Sequence, residues 1–330
     1  MKAFVVHEHA HPSKISLTAE WPVPQLSKDQ VMVDVYSSGL NFFDILQAQG
    51  RYQTQPPLPF VLGSEFAGKV SAGFPIPPGC PYKPGDRVFG ASQGSFADKV
   101  AVPSSAVLPL PDNLTFDQGA GLFVTWPTSY EALVGRAQLK AGEWVLVTAA
   151  AGGVALGAKV IAAAGSQDKL DIAKKYGGAD YTVDYTKPGW QKEVLKITDG
   201  KGADVIYDPV LILLSDCLKC IAWKGRALVV GFAAGTIEKV PMNLVLLKNI
   251  SLVGIFWGGY LVREPGHMPS VYKDFFSLLN SGRVSPPVVY KEIYPLEKLS
   301  DGLHALENRQ TWGKVIVRVK EETPVQKAKL

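Results

Sequence analysis

The pattern of apolar and polar positions changes once along the chain, near Leu114. Before that point, short alternating runs such as residues 31–36 are separated by Pro and Gly. The prolines at residues 56–59 and 75–84 cannot lie inside helices, because proline lacks the backbone donor and clashes with the preceding turn. This pattern predicts a first domain dominated by β-strands.

After Leu114 the pattern alternates between strands and helices. Thr115 is placed to cap a helix, and the apolar run at residues 144–147 is typical of a strand buried on both faces. Further strands are predicted at 159–162, 181–183, 204–207 and 226–230, and helices at 169–176 and 190–198. Strands that alternate with helices predict a doubly wound parallel sheet and an α/β fold class.

The last part of the chain returns to a mixed pattern from residue 269. Helices are predicted at 271–279 and 296–307, followed by a strand at 314–319. We therefore predict a β-rich domain at 1–122, a nucleotide-binding domain at 123–268, a return to the first domain at 269–319 and a flexible tail at 320–330.

Composition narrows the class of protein. The 330 residues are 47% apolar and 19% charged, with a formal net charge of +4 spread along the chain, which makes a nucleic acid an unlikely main partner. No apolar run is long enough to cross a membrane, and no leader segment is visible. Three cysteines indicate a reducing compartment, and we interpret Cys217 and Cys220 as helical packing residues. The final Ala328-Lys329-Leu330 resembles a peroxisomal address, which leaves cytoplasm and peroxisome both open.

A Gly-rich segment follows the strongest buried strand. Ala151, Gly152, Gly153 and Val154 would let backbone N–H groups approach a pyrophosphate, although such a run also serves as a simple tight turn. The next strand ends at Gly165 and Ser166, followed by Lys169, where NAD-binding proteins carry an acidic residue. A hydroxyl and a cation favour the 2′-phosphate of NADPH over NADH, whereas Lys169 could also be a solvated residue of a first helical turn.

Several motifs together resemble one known family. They are Asn41-Phe42-Phe43-Asp44, Gly50-Arg51-Tyr52, Gly63-Ser64-Glu65-Phe66, Thr128-Ser129-Tyr130, Val229-Val230-Gly231-Phe232 and Thr311-Trp312-Gly313-Lys314. In this order they are similar to the zinc-independent quinone oxidoreductase branch of the medium-chain dehydrogenase/reductase superfamily. The resemblance implies a GroES-like catalytic domain around a Rossmann domain, and a homodimer.

The resemblance also implies roles for particular residues. The catalytic end would include Asn41 and Tyr52 as hydrogen-bond donors, with Asp44 and Thr128 beside them. Alternatively, Asn41 stabilises a turn and Tyr52 packs on the loop at Pro57. NADPH would contact Ala151, Gly152, Gly153, Val154, Ser166, Lys169, Tyr185, Gly231, Phe232 and Arg309. Lys169, Tyr185 and Arg309 would surround the 2′-phosphate, although Arg309 could equally be a solvated residue at a helix end.

No metal site is expected. Zinc relatives in the superfamily have Cys and His where this chain has Asn41 and Ser64, and their structural zinc loop needs four cysteines. His7, His9 and His11 are interpreted as surface residues.

One departure from the family is the short segment between the Gly-rich run and the strand at Lys159. Relatives place a full helix there, and about ten residues are absent here. The first crossover helix is therefore expected to be truncated, exposing the sheet and weakening cofactor binding.

These observations favour NADPH-dependent hydride transfer to a quinone or another α,β-unsaturated carbonyl, with a small molecule as the partner. A 2-enoyl-thioester reductase is the enzymatic alternative. The non-enzymatic alternative is an inactive truncated isoform or a nucleotide- or RNA-binding relative.

Overall fold

The computed structural model describes residues 1–148, 158–209, 213–231 and 239–322. The chain forms two compact units, one built from Met1–Phe123 and the chain from Val289 onwards, the other from Val124–Val288. Among the described residues, no helix is both long and apolar enough to cross a membrane. The C-terminal tail residues 323–330 lie outside the described residues, and their proposed address stays a prediction.

The first unit is rich in β-structure, as predicted. Its strands are β1 (Ala3–Val6), β2 (Leu17–Thr18), β3 (Gln30–Gly39), β4 (Phe60–Val61), β5 (Glu65–Val70), β6 (Arg87–Ala91), β7 (Lys99–Pro103), β8 (Val107–Pro109), β15 (Tyr294–Pro295) and β16 (Ile316–Arg318). A seven-stranded sheet has the order β15-β16-β3-β5-β6-β8, with β7 also paired to β3, and a smaller sheet has the order β2-β1-β4. The helices are α1 (Phe42–Ala48), α2 (Phe116–Gly119) and α10 (Leu299–Glu307).

The central strand β3 holds two apolar clusters in place. Val31, Val33 and Val35 pack with residues of β5 to β7, as alternation along a strand requires. Leu40, just beyond β3, packs instead with Ile45 of α1 and with α10. The turn from β3 into α1 therefore lies inside the protein, which is why polar side chains there need partners.

The second unit contains the parallel sheet. Its strands are β9 (Trp144–Thr148), β10 (Lys159–Ala164), β11 (Tyr181–Asp184), β12 (Ala203–Asp208), β13 (Ile221–Val229) and β14 (Ser251–Gly254), in the order β11-β10-β9-β12-β13-β14. Every neighbouring pair is parallel. The helices are α3 (Thr125–Tyr130), α4 (Gln167–Lys175), α5 (Trp190–Ile197), α6 (Leu214–Cys217), α7 (Met242–Lys248), α8 (Trp257–Arg263) and α9 (Met268–Asn280). This is the doubly wound arrangement that the alternating pattern predicted.

The second domain boundary differs from the predicted one, because α9 belongs to the second unit. The Trp126 and Phe275 rings lie 3.8 Å apart, and the Tyr130 hydroxyl donates to Asp274 at 3.0 Å. These contacts join α9 to α3, so the chain returns to the first unit at residue 289 rather than 269.

The two neighbouring cysteines, Cys217 and Cys220, are buried, in agreement with a packing role. Only Cys217 lies in a helix, since α6 ends there and Cys220 lies in the turn before β13. Burial raises the pKa of the Cys220 thiol to about 12, which leaves it protonated at neutral pH.

The predicted exposure of the sheet at the short crossover is wrong. β9 ends at Thr148 and β10 begins at Lys159, so the ten residues 149–158 connect two adjacent parallel strands. Such a connection normally takes about a dozen residues or more. Val145 and Val160 are nevertheless buried, because Ala132 and Leu133 of the preceding helical segment belong to the same apolar cluster.

Candidate functional site

The turn from β3 into α1 carries the first two predicted site residues. Asn41 is the residue before α1, and its backbone N–H donates to Asp44 Oδ2 at 2.8 Å. This hydrogen bond belongs to a capping box that closes the first turn of the helix. Both side chains are buried. Asp44 therefore caps the helix.

The Asn41 side chain joins two buried charges that the sequence analysis did not place in the site. Its Oδ1 accepts a hydrogen bond from Lys314 Nζ at 2.8 Å, and its Nδ2 donates to Glu65 Oε1 at 2.9 Å. Lys314 also forms an ion pair with Glu65 Oε1. Glu65 Oε2 accepts the backbone N–H of Phe123 at 3.2 Å. Thus β5, the start of α1 and Lys314, two residues before β16, meet at one carboxylate.

Gly39 provides the space for this cluster. A Cβ at Gly39 would lie 2.6 Å from Lys314 Cε and 2.8 Å from Glu65 Oε1, and 2.4 Å from the Ala120 carbonyl oxygen. Any side chain there would displace either the backbone or the ion pair. The close approach of these strands therefore depends on glycine at the end of β3.

Burial changes the acid–base behaviour of Asp44. Its pKa is raised from 3.8 to about 7, mainly because the carboxyl group is removed from water. The hydrogen bond from Asn41 and the charge of Lys314 lower the pKa, and the charge of Glu65 raises it. The Ser64 side chain also lowers the Asp44 pKa, through a hydrogen bond to the carboxylate. Asp44 can therefore take up or release a proton near neutral pH.

Tyr52 and Thr128 lie in different units. The Tyr52 ring stacks on Phe43 of α1 with a centroid distance of 5.1 Å. Burial and the nearby Asp44 raise the pKa of its phenol, so Tyr52 stays protonated at neutral pH. Thr128 lies in α3 of the second unit, where its hydroxyl donates to the Val124 carbonyl at 2.6 Å. That proton is used within the helix and is not directed at a ligand.

The predicted donor role of Asn41 does not match its surroundings. One amide hydrogen faces Glu65, and Nδ2 also lies 3.4 Å from the Gly39 carbonyl oxygen. Both contacts are made to buried groups of the protein. Of the predicted donors in the first unit, Tyr52 is the one whose proton these contacts do not use.

Three predicted cofactor residues lie together in the second unit. Ser166 precedes α4, Lys169 is in its first turn, and Tyr185 follows β11. Because β10 and β11 are parallel neighbours, with Ala164 opposite Asp184, their carboxyl ends meet at one corner of the sheet. The absence of a side chain at Gly165 matters here, since a Cβ would lie 3.1 Å from the Tyr185 hydroxyl oxygen.

The residues at this corner include the hydroxyl of Ser166, the ammonium group of Lys169 and the phenol of Tyr185. The Asp184 carboxylate accepts from the N–H and hydroxyl of Thr186, at 2.9 and 2.6 Å, and these hydrogen bonds lower its pKa. A hydroxyl, a phenol and an ammonium group fit a phosphate ester better than a ribose 2′-hydroxyl, which an acidic residue would accept.

The remaining predicted cofactor residues are dispersed. Gly231 lies beyond β13, where a Cβ would be 3.2 Å from the Pro209 carbonyl oxygen at the end of β12. Arg309 belongs to the first unit and follows α10 with a left-handed φ of 56°. Ala151, Gly152, Gly153, Val154 and Phe232 lie outside the described residues.

Glu65 and Lys314 belong to two of the family motifs, but neither was predicted to be a site residue. A signal was available, because both motifs place an ionisable residue within two positions of a glycine. Only the pairing of β16 with the end of β3 shows that the two charges are neighbours.

Comparison with known proteins gives the same architecture. Residues 27–112 match the alcohol dehydrogenase GroES-like domain, and residues 146–279 match the zinc-binding dehydrogenase domain. The fold and these matches define a two-domain oxidoreductase, and the chain belongs to the medium-chain dehydrogenase/reductase superfamily.

Within that superfamily the chain is similar to quinone oxidoreductases. It is 36% identical to quinone oxidoreductase-like protein 2 of Rattus norvegicus, over 97% of this chain and 92% of the relative. It is 30% identical to the quinone oxidoreductase of Homo sapiens, over 91% and 92%. The Escherichia coli quinone oxidoreductase complexed with NADPH superimposes with a TM-score of 0.84 at 27% identity, over 97% of this chain and all of the other.

The donor set of the first unit does not fit a zinc ion, despite the name of the matching domain. Within residues 1–148, 158–209, 213–231 and 239–322, no group of three or more His, Cys, Asp or Glu side chains is placed to hold a metal. Asn41 and Glu65 are already engaged by the Lys314 ammonium. A divalent cation there would be repelled by that charge and would find no thiolate or imidazole.

Substitution of Lys314 by Met should destabilise the protein strongly. It leaves Glu65 buried without its cation, a change that typically costs about 3–5 kcal/mol. Urea unfolding should show this loss, whereas Lys2→Met, which removes an exposed ion pair with Glu297, should have little effect. The double variant Lys314→Met/Glu65→Gln should recover part of the stability. Equal effects at Lys314 and Lys2 would contradict the role assigned to the pair.

Substitution of Asp44 by Asn should reduce the pH dependence of stability. Because the folded-state pKa is raised from 3.8 to about 7, the folded protein holds a proton that the unfolded chain releases between these values. This group's contribution is full below about pH 4 and is lost as the pH rises through 7. Melting temperatures from pH 4 to 8 should therefore fall more steeply for the wild type than for Asp44→Asn; identical slopes would contradict the assignment.

Proposed function

We propose that this protein is an NADPH-dependent reductase that transfers hydride to a quinone or another α,β-unsaturated carbonyl without zinc. The observation that carries the proposal is the buried cluster of Asn41, Glu65 and Lys314. In this cluster the Lys314 ammonium group occupies the position beside Asn41 and Glu65 that a metal cation would need. The similarity to quinone oxidoreductases, one of them solved with NADPH, supports the same activity.

NADPH would be held by Ser166, Lys169 and Tyr185 at its 2′-phosphate, and it would supply the hydride. Lys169 would contribute charge and Tyr185 a phenol, while Gly165 leaves the corner open. We further propose that Arg309 and the Gly-rich run at residues 151–154 take part in cofactor binding, together with Gly231 and Phe232.

The chain's own acid–base groups would supply the proton. Tyr52 holds a proton at its hydroxyl because burial and Asp44 raise its pKa. A protonated phenol can donate a hydrogen bond to the carbonyl oxygen of a substrate while negative charge develops on it. Asp44, with a pKa of about 7, is suited to restoring a proton to the site.

Two alternative functions are compatible with the same family. A 2-enoyl-thioester reductase would use the same tyrosine on a different conjugated carbonyl. The ten-residue connection between β9 and β10 favours an inactive member, because it leaves little chain for a helix whose N-terminus would face the pyrophosphate.

The deciding measurement is cofactor binding followed by turnover. Quenching of tryptophan fluorescence should show NADPH binding more tightly than NADH. NADPH oxidation should then be faster with 9,10-phenanthrenequinone than with trans-2-hexenoyl-CoA, and a zinc chelator should leave the rate unchanged. Faster turnover of the thioester would identify the enzymatic alternative, and no binding of either nucleotide would identify an inactive protein.

The phosphate site has its own matched test. Lys169→Glu should weaken NADPH binding by about tenfold to a hundredfold and leave NADH binding little changed, since a charged contact to phosphate is lost. Lys174→Glu on the same helix, where the side chain is exposed, is the control. Equal losses of NADPH affinity in the two variants would contradict a contact between Lys169 and the 2′-phosphate.

We also propose that the protein forms a homodimer through the β14 edge of the parallel sheet. β14 has one neighbour in the described sheet, and α7 beside it exposes Met242, Leu246 and Leu247 at 66%, 78% and 68%. Unpaired strand edges flanked by apolar side chains are suited to two-fold pairing.

Light scattering after size exclusion should therefore give twice the chain mass. Leu246→Glu/Leu247→Glu should give a monomer, whereas Val23→Glu in the first unit should not. A wild-type monomer, or a dimer that persists in the double variant, would contradict this interface.

A further inference from the structure

A buried carboxylate in the second unit has no part in the proposed reaction. Four carboxylates are buried among the described residues: Asp44 and Glu65 in the first unit, and Glu131 and Asp208 in the second. Asp208 accepts the Thr148 hydroxyl at 2.6 Å, at the carboxyl ends of β9 and β12. Glu131 lies elsewhere, in the helical segment that follows α3. Burial of an ionised carboxylate costs several kcal/mol, so its partners must offset about that much.

The partners of Glu131 both come from one short stretch of chain. The Tyr260 hydroxyl donates to Oε1 at 3.1 Å, and His267 Nε2 lies 2.8 Å from Oε2. The Tyr260 and His267 rings pack together with their centroids 5.2 Å apart. Burial and Glu131 both raise the pKa of the Tyr260 phenol, so it remains a donor. One carboxylate thus holds α8 and the turn before α9.

The backbone around Glu131 is adapted to this contact. Residues Glu131–Arg136 form a π-helix, a rare form that occurs frequently at functional sites. Within it, a Cβ at Gly135 would lie 2.2 Å from Glu131 Oε1, so a side chain there would displace the carboxylate. At the end of the π-helix, Arg136 Nε donates to the Gly254 carbonyl at 3.2 Å. The segment therefore holds the chain on both sides of α8.

The held segment lies on the side of the parallel sheet where the strands have their carboxyl ends. α8 follows the carboxyl end of β14, and open α/β sheets bind ligands at the carboxyl ends of their strands. α8 has only seven residues, including Gly258 and Gly259, and a helix this short is not stable by itself. Its position must come from contacts with the rest of the unit.

We propose that Glu131 is a positioning residue that fixes the segment 257–267 at the ligand-binding edge of the parallel sheet through Tyr260 and His267. The effect on the enzyme rests on the proposed function: a segment already in place does not have to be ordered when the nucleotide binds, so the affinity for NADPH is higher. The positioning itself does not depend on any activity.

Hydrogen–deuterium exchange measures the positioning directly. Glu131→Met keeps the volume but removes both hydrogen bonds, and amides in 257–267 should exchange at least about tenfold faster, which corresponds to about 1.4 kcal/mol of lost local stability. Glu131→Gln should restore most of the protection, because its amide can accept from Tyr260 and donate to His267. Glu193→Met, at an exposed position on α5, should leave exchange unchanged.

Two exchange results would overturn the proposal. One is wild-type exchange in 257–267 of Glu131→Met. The other is faster exchange throughout the second unit, which would make Glu131 a general stabilising residue. Gly135→Ala provides an independent route, because it displaces the carboxylate without changing it and should raise exchange in the same segment.

Kinetics then separate the positioning role from catalysis. Glu131→Met should raise the KM for NADPH about tenfold with kcat within about twofold, using 9,10-phenanthrenequinone as the acceptor, and Glu131→Gln should recover most of the KM. A lowered kcat with unchanged KM would contradict the role. If the wild type does not oxidise NADPH, the proposed function fails, while the exchange measurements still decide whether Glu131 positions the segment.

Discussion

The buried ion pair between Glu65 and Lys314 is the constraint on which the first unit depends. It joins β5, in the first quarter of the chain, to Lys314, two residues before β16 and near the end of the chain. Neither charge is tolerated in an apolar interior without the other, and Asn41 accepts from one and donates to the other. The glycine at the end of β3 and the capped first turn of α1 follow from this requirement, because both leave room for the cluster. The same arrangement leaves Asp44 buried beside it, with a pKa near neutrality.

The second unit distributes its polar groups differently. Its two apolar clusters cover the two faces of the parallel sheet, so hydroxyl, phenol and carboxylate groups collect at the strand ends. Ser166 and Tyr185 meet there because β10 and β11 are parallel neighbours, and Thr148 meets Asp208 because β9 and β12 are. Parallel pairing thus brings distant sequence positions to one edge, as doubly wound folds do in general.

The short connection between β9 and β10 shows that a local departure need not disturb the core. The strands on either side keep the parallel register, and their side chains are buried except for Trp144 and Lys159 at the beginning of each strand. An exposed sheet was expected because the helix between the two strands is missing. That expectation did not include other segments that pack on the same face. The helical segment before β9 packs on these strands. Its residues lie outside the βαβ unit, so the pattern of that unit alone does not predict their contacts.

By itself, the sequence determined the class of each unit. Periodicity and the position of prolines are local signals, and they were sufficient for a β-rich unit and a parallel sheet. The Gly-rich run, Ser166 and Lys169 were proposed as cofactor residues from their places after strands, and Tyr185 was proposed from the family resemblance. Only the tertiary structure decided which charges are neighbours. The pairing of Lys314 with Glu65 and of His267 with Glu131, the use of the Asn41 amide inside the protein, and the membership of α9 in the second unit all depend on contacts between distant segments. Such contacts are set by the burial of whole faces, which no local pattern specifies.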